Sequence, residues 1–152
     1  MVDLSTLYNE RILALASEIA PARRLESPQG HATAHSKLCG STVTVDLDLA
    51  DGKVADYGQT VKACLLGQAS ASVMARNILG TPVAELREIG AQMRRMLKEG
   101  GPPPAGRWAD LAVLEPVKDY KARHASTLLV FDAVEQALAE AESKARTHAV
   151  EA

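Results

Sequence analysis

The stretch Thr42-Val43-Thr44-Val45-Asp46-Leu47-Asp48-Leu49-Ala50-Asp51-Gly52-Lys53-Val54, flanked by Cys39 and Cys64, decides the fold. Strict alternation puts Val43, Val45, Leu47 and Leu49 on one face, the pattern of a half-buried strand. Asp51-Gly52 is a hairpin signal, because a tight reverse turn needs residues that accept positive φ. A second strand, Val54 to about Val61, then returns toward Cys64. Two registers follow. A two-residue turn sets Cys39 opposite Cys64; a three-residue Ala50-Asp51-Gly52 turn pairs Val45 with Tyr57 and Leu47 with Ala55. The second matches the apolar faces better. Both bring the thiols of Cys39 and Cys64 to one end of the hairpin, which points to a metal or sulfur site.

Outside the hairpin the periodicity is helical. Leu4, Leu7, Tyr8, Ile12, Leu15 and Ile19 outline an amphipathic first helix that ends before Pro21. Residues 31–37 form a weak edge strand. After Cys64 a helix runs through Leu65, Ala69, Val73 and Leu79, and Thr81 is expected to cap the next, with Pro82 at its first position. Leu86, Ile89, Met93, Met96 and Leu97 supply that helix's apolar side. The run Gly100-Gly101-Pro102-Pro103-Pro104-Ala105-Gly106 is a surface loop. Trp108 to Val117 packs a turn of helix onto the core, and Leu128, Phe131, Val134, Leu138 and Ala141 mark a long last helix. The expected fold is α+β: a small antiparallel three-stranded sheet with helices packed on it. Residues 1–145 read as one domain and 146–152 as a frayed tail.

Composition narrows the function. The chain has 152 residues, enough for a real core, and 17 basic against 19 acidic side chains leave a net charge of −2. Nothing in that balance is a footprint for nucleic acid. No apolar run reaches a membrane span and the N-terminus lacks a secretory pattern, so no membrane association is expected. Two cysteines without CxxC spacing fit free thiols in a reducing, cytoplasmic setting. No Gly-x-Ser-x-Gly elbow surrounds Ser70 or Ser72, and no phosphate-binding glycine loop occurs.

The order Cys39-Gly40, hairpin, Cys64, Ala69-Ser70-Ala71-Ser72, and His124-Ala125-Ser126-Thr127-Leu128 resembles the IscU/SufU/NifU-type iron–sulfur cluster scaffolds over nearly the whole chain. The long insertion through Leu86–Gly106 is similar to SufU-type members, and His124 to IscU-type ones. The resemblance implies a SufU/IscU-like fold and a metal site of Cys39, Cys64 and His124. It also implies an iron–sulfur cluster or iron as the bound group, with zinc as an alternative. The partners it implies are a cysteine desulfurase and client apo iron–sulfur proteins. Such a chain is a scaffold or an iron/sulfur relay, and not an enzyme.

The departures are specific. Ser41 stands in the family's aspartate position, Ala63 in that of the glycine before the second cysteine, and Ala125 in that of the third cysteine. Two thiolates and one imidazole are three donors for a tetrahedral centre. A water, a small thiol, a second chain, a partner's cysteine or His35 are the sources considered for the fourth. Cys64 sits at the start of an expected helix, whose partial positive charge favours its thiolate, and Lys62 acts in the same direction. Ser41, Lys62 and Arg123 are expected around the ligands, since cations beside a thiolate or cluster stabilise negative charge. Two other readings fit the altered ligand set. One is a pseudo-scaffold that only docks on the assembly machinery; the other is a sulfurtransferase carrying persulfide on Cys64.

Overall fold

The computed structural model describes residues 9–37 and 40–151, the last seven by their backbone alone. Strands β1 (Gly30–His35), β2 (Thr42–Ala50) and β3 (Lys53–Lys62) form one antiparallel sheet in the order β1-β2-β3. The turn has φ of 54° at Asp51 and 75° at Gly52, the double positive φ of a two-residue hairpin loop. Ala50 pairs with Lys53 and Leu49 with Val54, but an irregularity between Asp48 and Leu49 leaves Ala55 unpaired. Beyond it Leu47 faces Tyr57, Val45 faces Gln59 and Val43 faces Val61. This corrects both expected registers. A strict two-residue turn would set Leu47 against Asp56. The single extra residue at the bulge returns Tyr57 and Val61 to the core face while keeping the tight turn.

The core lies between that sheet face and the helices. Val43, Val45 and Leu47 are fully buried. Gln59 shares their face because its Nε2 donates to Ala71 O (3.1 Å) and its Oε1 accepts from the Tyr57 hydroxyl (2.6 Å). Burial pushes the Tyr57 phenol above its ordinary value, so it stays a donor. The opposite sheet face is crossed by the segment after the first helix. There the Asp46 carboxylate, with no exposed side-chain surface, accepts from Arg24 Nε (2.5 Å) and the Leu25 N–H (3.1 Å) and pairs with His31 Nδ1 (2.6 Å). Burial opposes its charge, but these partners win and hold its carboxyl below the usual carboxylate range. His31 and His35 lie on the exposed side of edge strand β1, apart from any shared ligand site.

Helix α1 (Glu10–Ser17) starts at Asn9, whose side chain accepts from Ile12 N (3.0 Å), and buries Ile12, Leu15 and Ala16. It ends before Pro21 as expected; Leu4, Leu7 and Tyr8 lie outside the described residues. Helix α2 (Leu65–Asn77) stops short of Leu79, which is 54% exposed. Thr81 does not cap the next helix: its hydroxyl donates back to Asn77 O (2.6 Å), closing α2, and Pro82 is the cap of α3 (Val83–Glu99). Gly100 ends α3 in the left-handed conformation (φ 68°).

From Gly106 to Asp119 the chain is 3-10 helix, a longer element than a single turn. Its three-residue period explains why Trp108, Leu111, Leu114 and Val117 are all buried. A short 3-10 turn, Lys121–Arg123, leads into α4 (His124–Glu151), which packs across β1, β2, α2 and α3. At Gly30 a Cβ would lie 2.1 Å from Ala137 O, so glycine sets how closely α4 approaches the edge strand. Among the described residues no helix is long and apolar enough to cross a membrane.

Candidate metal centre

The last β2–β3 pair, Thr42 with Lys62, places Gly40-Ser41 and Ala63-Cys64 at one end of the sheet. Gly40 takes positive φ (68°) there, and its N–H donates to Ser36 O (2.9 Å) while Ser36 N donates to Ser41 O (2.8 Å). These bonds close the β1–β2 loop on either side of Cys39, which itself lies outside the described residues. Ser41 is buried at 3% exposure. Lys62 is exposed at the end of β3.

Cys64 occupies the N-cap of α2 and makes no side-chain capping bond. Its half-buried thiol instead donates to Ser126 Oγ (3.4 Å), in the first turn of α4. Ser126 donates its own hydroxyl hydrogen bond to Arg123 O (3.2 Å), and Thr127 Oγ1 donates to the same carbonyl (2.8 Å). Gly67 makes this approach close, because a Cβ there would stand 3.1 Å from Ser126 O. The helix start that carries Cys64 is thereby fixed to the helix start that carries His124.

His124 is 9% exposed, and its Nε2–H is shared between Val117 O (3.0 Å) and Lys118 O (3.1 Å). With both acceptors at Nε2, the proton sits on that nitrogen and Nδ1 keeps its lone pair. Nδ1 has no hydrogen-bond partner among the described residues. A ring held through one nitrogen with the other free is the arrangement of a metal-ligating histidine. Ala125, next in the chain, is exposed on α4.

A half-buried thiol and an oriented imidazole are donors that suit iron and zinc. Among the described residues no group of three or more His, Cys, Asp or Glu side chains gathers at one point. The residues found here by structure alone are Ser126 and the carbonyls of Val117 and Lys118. Ser126 was visible in the sequence only as part of the His124-x-Ser126 motif, and backbone carbonyls leave no sequence signal.

No family model matches the chain. The iron–sulfur cluster assembly scaffold protein IscU of Thermotoga maritima is 26% identical over 132 residues, 87% of this chain and 92% of that one. The crystal structure of the N-terminal part of a nitrogen-fixing NifU-like protein from Brucella abortus is 55% identical and superposes with a TM-score of 0.90, covering 93% of this chain and 98% of that one. A scaffold protein for the SUF system from Fervidobacterium islandicum shares the fold at 23% identity, TM-score 0.80, covering 90% and 99%. The chain therefore belongs to the NifU-N/IscU-like family of iron–sulfur cluster assembly scaffolds.

Proposed function

We propose that this chain receives iron and sulfur, or an assembled iron–sulfur cluster, on Cys39, Cys64 and His124 and passes it on. The cluster is cargo. The observation behind this reading is the docking of Cys64 on the first turn of α4, headed by an imidazole with one nitrogen anchored and the other without a partner among the described residues. Thiolates and imidazole together hold iron or zinc. Lys62 and Arg123 lie one or two positions from ligands and offset the negative charge of a thiolate-bound centre. Sulfur comes from a cysteine desulfurase, and client apo iron–sulfur proteins take the product. The chain itself performs no turnover and works in the cytoplasm.

Anaerobic reconstitution of the apo-protein with ferrous iron and sulfide tests the assignment. Wild type is expected to gain the visible absorption of a cluster, and Cys39→Ser and Cys64→Ser each to lose it. Zinc or ferrous iron alone should bind at about one equivalent, more tightly as pH rises, because each thiol releases a proton on binding. A Cys39→Ser/Cys64→Ser protein that binds metal as well as wild type rules the ligand set out. Ala125, in the third-cysteine position, favours the pseudo-scaffold as second reading; that reading predicts no cluster and intact binding to the desulfurase.

A further inference from the structure

Beside His124 a cavity of about 520 Å³ opens between α3 and the start of α4. Three ammonium groups stand on its wall: Lys98 from the last turn of α3, Lys118 from the end of the 3-10 segment, and Lys121. None of the three has an ion-pair partner among the described residues. The fourth cation, Arg94, is already committed to Asp132 (2.7 Å) and Glu135 (2.7 Å). Asp132 is the one carboxylate on the wall, and it shares Arg94 with Glu135. The three lysines outnumber the one surplus carboxylate of the Arg94–Asp132–Glu135 group, so a chain with net charge −2 has a net positive opening here. Such a site attracts a ligand that presents carboxylates.

Two further features limit the ligand. Leu97 and Leu128 line the cavity as apolar surface, and the volume falls within the roughly 300–1,000 Å³ typical of small-molecule sites, larger than an inorganic anion needs. Ala125 is part of the wall, next to a buried histidine whose Nδ1 has no hydrogen-bond partner among the described residues. A methyl group stands where a side-chain sulfur would otherwise enter beside His124.

We infer that this cavity binds a small thiol bearing two carboxylates, whose sulfur takes the place beside His124 that Ala125 leaves without a donor. This rests on the cluster-holding reading above. The lysines take the carboxylates, and the sulfur is presented at the Ala125 wall. The step is a ligand exchange. The S–H proton leaves to bulk water, the thiolate lone pair forms the bond to iron, a bound water departs, and no electron is transferred. Because the lysines are exposed, binding should weaken with salt.

Two measurements test it. First, S-methylglutathione, which keeps both carboxylates but has no thiol, is titrated into apo-protein by NMR and calorimetry. Shifts are expected at Lys98, Lys121 and Ala125, with affinity about five- to tenfold weaker in Lys98→Ala/Lys121→Ala, the scale of exposed ion pairs. No binding, equal binding to the variant, or binding of a glutamate-rich peptide in place of S-methylglutathione overturns the inference. Second, cluster lifetime under chelator is compared with glutathione, neutral 2-mercaptoethanol and cationic cysteamine at equal thiolate concentration. Glutathione should prolong it most, the advantage should vanish in Lys98→Ala/Lys121→Ala, and Ala125→Cys should make added thiol unnecessary. A cluster equally stable with all three thiols overturns the inference and leaves the scaffold reading intact. A chain that takes up no cluster with any thiol, yet binds S-methylglutathione, overturns the scaffold reading and the sulfur role together, leaving an anion pocket.

Discussion

The Cys64 thiol and the Ser126 hydroxyl meet at 3.4 Å, joining the first residues of two helices that are far apart in sequence. Ser126 is 2% exposed and holds its orientation by donating to Arg123 O. Groups that orient a metal ligand are commonly worth ten- to a hundredfold in affinity. Ser126→Ala is expected to weaken zinc binding by about tenfold, the lower end of that range, because Thr127 still satisfies Arg123 O. Competition with a chromogenic chelator reads this directly, and an unchanged affinity would remove Ser126 from the site.

His124 combines two roles that substitution can separate. Glutamine places an amide N–H near the position of Nε2, and so retains a donor for Val117 O and Lys118 O, but offers no lone pair where Nδ1 stands. Apo His124→Ala should lose about 1 kcal/mol, as two buried carbonyls lose a donor, and His124→Gln distinctly less. Metal raises the melting temperature by binding only the folded state. Both variants should reduce that rise equally. Equal stability of the two apo variants would show that the carbonyl contacts contribute nothing.

Folding is expected not to depend on metal in this chain. Its core spans the sheet, all four helices and the 3-10 segment, with Cys64 packed only at its edge. Apo-protein should show native circular dichroism and a cooperative melt that moves upward with zinc. The shift should disappear in Cys64→Ser. An apo chain without secondary structure would overturn the core assignment.

Acid should act through Asp46. Its carboxyl is held below the usual range when folded, so it titrates at lower pH in the native state than in the unfolded chain. The stability it contributes is complete above the unfolded value, near pH 4, and is lost as pH falls through the folded one. Asp46→Asn should cost about 2 kcal/mol at pH 7, the scale of hydrogen bonds to a charged group, and flatten the stability profile below pH 4. Arg24 and His31 are partly exposed and regain water when the carboxylate is removed. Urea midpoints across pH 2–7 decide it: parallel profiles for the two proteins would exclude Asp46 as the titrating group.

Gly30 tests the packing of α4 on the sheet. Its missing side chain lets Ala137 O approach to a distance that a methyl group forbids. Gly30→Ala should destabilise by about 3 kcal/mol, the upper range for overpacking, because the obstacle is backbone and not a flexible side chain. Its urea midpoint should fall with an unchanged slope. A loss under 0.5 kcal/mol would mean that α4 shifts freely over β1.

Local chemistry by itself determined the hairpin, the glycine- and proline-rich loop and the helical faces, since each depends on residues close in sequence. Alternation along Val43–Leu49 and the Asp51-Gly52 pair are enough to specify two strands and a turn. The register was beyond that reading, because the bulge at Ala55 exists only to reconcile a tight turn with a core that includes α2 and α4. Thr81 illustrates the same limit: capping propensity favoured one role, and the carbonyl of Asn77 with the guanidinium of Arg107 gave it another. Cys64 stood out from its place at the hairpin end and helix start, and His124 only through the family resemblance. Only the tertiary structure decided that Ser126 meets the thiol, that carbonyls anchor the imidazole, and that three lysines from separate elements share one cavity. These are contacts between segments distant in the chain, and their geometry is set by how the helices close over the sheet.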